Sequence, residues 1–164
     1  MPEASAPLLR LTGIGHDFDV SRPWLNRVIE GEPRRLLRAV DEVSFEVRKG
    51  ETLALVGESG CGKSTVARLI VGLHAPSRGR IEFDGVEISD PQANARIGRL
   101  RRRMQMIFQD PYASLNPRWR VREIVAEPVT ALNLLHRREQ IHARVAELLT
   151  QVGLAAEDGE KYPH

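Results

Sequence analysis

Residues 57–65 read Gly57-Glu58-Ser59-Gly60-Cys61-Gly62-Lys63-Ser64-Thr65. An apolar run, Thr52-Leu53-Ala54-Leu55-Val56, leads in, and a helical pattern, Val66-Ala67-Arg68-Leu69-Ile70-Val71-Gly72-Leu73, leads out. Strand, glycine-rich turn and helix in that order give the G-x-x-x-x-G-K-[ST] spacing the context of a phosphate cradle. A triphosphate is a dense anion, so its site must supply many donors at short range. Glycines let the backbone turn left-handed and come close to a ligand with no side chain between. Successive amide N–H groups then line an anion nest, and the helix starting near Gly62 adds unpaired N–H groups and the positive end of its dipole. Lys63 is expected at the β- and γ-phosphates, and the Ser64 hydroxyl on Mg²⁺. Thr65 reads as a helix-start residue near the phosphates.

Composition narrows the surroundings. The chain has 164 residues, 28% charged and 41% hydrophobic, enough for one domain with a core. Its apolar runs are too short to span a bilayer, and no signal peptide opens it. A net charge of +2 does not by itself point to nucleic acid. The single cysteine, Cys61, forbids an internal disulfide and fits a reducing compartment. At a helix start beside Lys63 it is expected to be reactive, with alkylation blocked by ATP.

Outward from the turn, residues 1–7 read as a loose tail and Leu8–Leu11 as a first strand, apolar up to Ile14. His16-Asp17-Phe18 follows, and 19–35 reads as an exposed insertion carrying Trp24, either a local anchor or a contact for another subunit. Val43-Ser44-Phe45-Glu46-Val47 alternates, as a half-buried strand does. Ile81–Ile88, with Asp84-Gly85 at its centre, predicts a hairpin. Arg96, Arg99, Arg101, Arg102 and Arg103 read as a solvated helix face rather than an RNA or lipid contact. Met104–Phe108 reads as a further strand. From Ser114 onward the pattern turns helical. Asn116-Pro117 is expected to start a helix, Pro128 to end or kink the stretch from Val121, and Arg137–Val152 to form a helix stopped by Gly153.

Two stretches together carry a resemblance. Gly-Glu-Ser-Gly-Cys-Gly-Lys-Ser-Thr (57–65) and Phe-Gln-Asp-Pro-Tyr-Ala-Ser-Leu-Asn-Pro-Arg (108–118) resemble the ABC transporter ATP-binding subunits of dipeptide, oligopeptide and nickel importers. Ala39-Val40-Asp41-Glu42-Val43-Ser44-Phe45 and Tyr162-Pro163-His164 are similar to the same group, so the likeness runs over about 8–164. It implies an α/β fold: a P-loop NTPase core of ABC ATPase type with an antiparallel β-subdomain, over 8–112, and the start of an α-helical subdomain, over 113–164. It implies ATP and Mg²⁺ as ligands, Phe18 as the adenine-stacking aromatic, and Gln109 as the glutamine that approaches Mg²⁺ and the attacking water. It also implies a paralogous ATP-binding subunit as dimer partner, two transmembrane permease subunits, an extracytoplasmic solute-binding protein, and a peripheral place on the cytoplasmic face of the membrane.

In that family Tyr-Pro-His leads into a Ser-Gly-Gly-Gln signature loop, then a catalytic Glu. This chain stops at His164. The expectation is therefore an N-terminal part that binds nucleotide weakly and hydrolyses it poorly. Two other readings stay open: a small P-loop kinase with Arg99–Arg103 as its lid, and a non-catalytic nucleotide-binding fragment. A GTPase lacks support, because no Asn-Lys-x-Asp run occurs.

Overall fold

The computed structural model describes residues 6–23, 31, 33–89, 100 and 102–164. Trp24, Arg96, Arg99 and Arg101 lie outside the described residues. The chain divides into two compact units, Met1–Met106 and Ile107–His164.

The first unit is built on an antiparallel sheet. Its elements are β1 (Leu9–Asp19), β2 (Leu36–Val47), helix α1 (Lys63–Ile70), β3 (Arg78–Phe83) and β4 (Val86–Glu87). The strand order is β2-β1-β3-β4, so β1 is ladder-bonded on both sides. Leu9 faces Val47 across one ladder and Phe83 across the other. β1 runs past the expected end at Leu11 and carries His16 and Phe18 within the strand. The hairpin forms as expected: Asp84 and Gly85 take φ of 51° and 72°, the paired left-handed geometry that a tight two-residue turn needs.

The core of this unit lies between sheet and helix. Leu11, Ile14, Leu69 and Ile81 are fully buried, with Val40, Val66, Phe83 and Ile88 around them. Each such side chain contributes about 1.5–3 kcal/mol on leaving water. Val66 and Leu69 sit three apart on α1 and so share its buried face. Gly72, at φ 73°, stops the helix: its N–H bonds Leu69 O at 3.1 Å and the Leu73 N–H bonds Arg68 O at 2.9 Å. Over β1 and β2, Arg78 bridges Asp17 and Asp41, and its hydrogen bond holds the Asp41 carboxyl below the usual carboxylate range.

Two expected strands do not form. Thr52–Val56 and Met104–Phe108 have no ladder partner among the described residues. Their reading rested on apolar content alone, whereas a strand also needs a second backbone to bond.

The second unit is helical: α2 (Pro111–Ser114), α3 (Val121–Ala131), α4 (Arg138–Gln151) and a short 3₁₀ turn, Ala156–Glu160. Asn116 does not start a helix. Its side chain accepts from the Arg118 N–H at 3.0 Å and closes a turn instead. Nor does Pro128 end α3, which runs three residues further. Both α3 and α4 stop on a left-handed residue, Asn133 at φ 51° and Gly153 at φ 80°. Leu134 N–H bonds Val129 O and Leu154 N–H bonds Leu149 O, each at 2.9 Å, so the last carbonyls are satisfied. Val145 and Leu149 of α4 and Val129 of α3 form the buried centre. Glu160 accepts from both Arg120 and Arg122, tying the 3₁₀ turn to α3.

Candidate functional site

The turn before α1 has the shape its glycines predict. Gly60 and Gly62 take φ of 82° and 94°, which L side chains rarely adopt. Gly62 is also pressed on β2: a Cβ there would lie 2.5 Å from the Ala39 carbonyl oxygen. A Cβ on Gly57 would lie 2.7 Å from Cys61 Sγ. Gly62 therefore excludes a side chain on steric grounds, whereas one on Gly57 would displace the Cys61 thiol. The Cys61 N–H closes the turn by donating to Glu58 O at 3.4 Å.

α1 starts on Gly62 without a side-chain cap and has no acidic residue in its first turn. Its first backbone bond inside the helix runs from Val66 N–H to Gly62 O at 2.9 Å. Among the described residues, no protein acceptor meets the N–H groups of Lys63, Ser64 or Thr65. Those donors and the positive end of the dipole are thus open to an anion. The Lys63 ammonium lies over the same turn, donating to Gly57 O at 2.7 Å and Glu58 O at 2.6 Å, with Cys61 Sγ 3.4 Å away. Glu58, Ser59, Cys61 and Ser64 are exposed, and Lys63 and Thr65 half-buried. A cleft of about 240 Å³ runs between the turn and β2, lined by Ala39, Val43, Leu55, Cys61, Lys63 and Val66. The turn thus gathers the Lys63 ammonium and the N–H groups that open α1 at one place.

The other two expected site residues lie on other elements. Phe18 lies near the end of β1 opposite Leu37, half-buried. Gln109 belongs to the second unit, exposed at a bend, next to Asp110, whose carboxylate accepts from the Tyr112 N–H at 3.1 Å. Among the described residues, no three His, Cys, Asp or Glu side chains come together as a metal-holding group. A metal here would take one protein oxygen from Ser64 and the rest from a phosphate-bearing ligand and water. Sequence reading missed the ring partners of Phe18. His16 was within reach of it, because residues two apart share a strand face; His74 comes from 56 residues further on and carries no local signal. No described helix is long and apolar enough to cross a membrane.

The family described as ABC transporter matches residues 40–163. The oligopeptide transport ATP-binding protein OppF of Bacillus subtilis is 47% identical over 132 residues, covering 80% of this chain and 43% of that protein. A putative peptide import ATP-binding protein of Brucella abortus is 46% identical over 159 residues, 96% of this chain and 45% of the other. The glutathione import ATP-binding protein GsiA of Pectobacterium atrosepticum is 43% identical over 164 residues, 100% of this chain and 25% of the other. The chain thus spans less than half the length of these relatives. In fold it is similar to the ATP-binding cassette MJ0796, solved as a dimer in a post-hydrolysis state with ADP and Pi. That match has a TM-score of 0.71 at 20% identity and covers 94% of this chain and 61% of the other. The expected ABC ATPase architecture is the one observed, and the chain belongs to the ABC transporter family.

Proposed function

We propose that the chain is the nucleotide-binding part of an ABC importer subunit that binds and hydrolyses ATP to drive peptide uptake, with nickel as the other solute class in view. One observation carries the reading: the Lys63 ammonium sits over a glycine turn whose helix-start N–H groups have no protein partner among the described residues. That pairing of a mobile cation with fixed donors suits the β- and γ-phosphates of ATP. Exchanging the Gly57 and Glu58 carbonyls for phosphate oxygens would turn neutral acceptors into charged ones, which form stronger bonds. The relatives named for peptide import support the solute class.

The residues then take distinct roles. Gly57, Glu58, Ser59, Gly60, Cys61 and Gly62 supply the backbone of the cradle. Lys63 neutralises phosphate charge, Ser64 gives its hydroxyl to Mg²⁺, and Thr65 closes the helix start beside it. Phe18 offers a face to the adenine. Gln109 orients the attacking water. Bound Mg²⁺ neutralises charge on the phosphoryl oxygens. Phosphoryl transfer is chiefly positioning and charge stabilisation, and this set supplies the anion-binding half of it. The wider assembly proposed is a pair of ATP-binding subunits on two permease subunits at the cytoplasmic face, fed by a solute-binding protein outside.

Calorimetric titration with MgATP tests the core of the reading. Lys63→Ala should weaken binding at least about tenfold, because one charge-assisted contact is lost. Equal affinity of the variant and the wild type would overturn it.

A further inference from the structure

The ring of Phe18 meets two imidazoles, which also meet each other. His16 packs against it edge to face, with centroids 4.5 Å apart and planes at 86°. His74 meets it the same way, at 5.6 Å and 89°. The two imidazoles lie near parallel, 27° apart in plane, with centroids 5.5 Å apart. His16 is buried, and its Nδ1 has no hydrogen-bond partner among the described residues. His74 is half-buried and tied to the end of α1: its N–H and that of Leu73 both donate to Arg68 O, at 3.4 and 2.9 Å.

That link matters because α1 begins at the phosphate turn. Strand β2 joins the same two places: Ala39 lies under Gly62, and Leu37 is the ladder partner of Phe18. Two residues of strand are about 7 Å. Phe18 is thus fixed to the cradle through β2 on one side and through His74 and α1 on the other.

We propose that His74 is a positioning residue for a nucleobase platform at Phe18, holding the phenyl ring in register with the phosphate turn. The proposal rests on the reading of Phe18 as the base-stacking ring. A phenyl side chain on a strand has several staggered rotamers open to it, and stacking on a base demands one. Edge contacts from two rings fix that rotamer before the ligand arrives, which removes an ordering cost from binding. His74 therefore acts through Phe18. It should affect ligands that carry a base and leave a bare polyphosphate alone.

Calorimetric titration of the full chain with MgATP and with magnesium tripolyphosphate separates these effects. Phe18→Ala should weaken ATP about tenfold and leave tripolyphosphate unchanged. His74→Ala should weaken ATP about three- to tenfold, leave tripolyphosphate unchanged, and add nothing in a Phe18→Ala background. His74→Phe, which keeps a ring, should bind ATP within about twofold of wild type. Wild-type ATP affinity in His74→Ala, with Phe18→Ala impaired, would overturn the role of His74 alone. Equal loss of both ligands in His74→Ala would make the residue merely structural and would also overturn it. Wild-type ATP affinity in Phe18→Ala would remove the platform itself.

Discussion

Val43–Val47 and Thr52–Val56 are two five-residue apolar stretches, five residues apart, with opposite fates. The first alternates, and each half-buried residue in it is followed by an exposed one. It is the end of β2, with Phe45 opposite Leu11 and Glu46 opposite Arg10 on β1. The second is apolar almost throughout, yet Leu53 and Leu55 are 43% exposed and Val56 is 93% exposed. Alternation encodes a strand with one wet face, satisfied by one sheet partner and one covered side. An unbroken apolar run encodes a strand that wants cover on both faces. Its composition states the demand and cannot supply the neighbours.

The contrast is sharpest in stability. Ile81 of β3 is 1% exposed and packs in the core that β1 and α1 close. Ile81→Ala should cost about 2–5 kcal/mol, from lost transfer free energy and the cavity left behind. Urea unfolding of the chain measures it. A cost under about 1 kcal/mol would mean that the sheet–helix core is looser than its burial indicates.

Next in size come the two left-handed glycines of the phosphate turn. Gly60→Ala meets open space, so only backbone strain at φ 82° remains, about 1 kcal/mol. Gly62→Ala adds contact with the Ala39 carbonyl at 2.5 Å and should cost about 2–3 kcal/mol. The same unfolding series ranks them, and equal costs would show that the turn is not braced against β2. That bracing is what ties the turn to β2.

How much of this was legible follows the same division. The hairpin at 81–88 and the glycine turn were readable because each is dictated by its own residues: Asp84-Gly85 accept positive φ, and so do Gly60 and Gly62. The helix stop at Gly153 was readable for the same reason. Asn116 misled, because its side chain serves a turn as well as a helix cap, and only the Arg118 N–H decides between them. Pro128 misled because a proline breaks a helix only where its missing N–H and its ring are not absorbed, and α3 absorbs them within its last turn. In the candidate site, the cradle was visible as local chemistry. The packing of His74 on Phe18 was not, because it joins residues from distant parts of the chain.

A smaller effect belongs to the second unit and to pH. Lys161 donates to Asp158 at 2.6 Å and the Ala155 N–H donates to it at 2.9 Å. Together they hold the Asp158 carboxyl below the usual carboxylate range. A depressed carboxylate contributes stability that is present above its unfolded pKa, near 4, and is lost as pH falls through the lower folded value. Asp158→Asn should therefore have a lower urea midpoint than wild type at pH 7, and the gap should close towards pH 2.5. A gap that stays constant over that range would assign the effect to packing instead.

The smallest expected effect returns to Val56. At 93% exposure it has almost no surface left to lose, so Val56→Ala should change the stability of this chain by less than about 0.5 kcal/mol. That value is a prediction against composition, since Val56 ends the most apolar run leading into the phosphate turn. It is also a prediction against position, because the next residue, Gly57, carries a carbonyl that Lys63 holds at 2.7 Å. If Val56→Ala unfolds as readily as Ile81→Ala, residues 52–56 are buried in solution and the contrast with β2 disappears. If it is neutral for unfolding yet weakens ATP, the run supports the turn by holding the Gly57 carbonyl in place, a role in backbone positioning that burial does not measure.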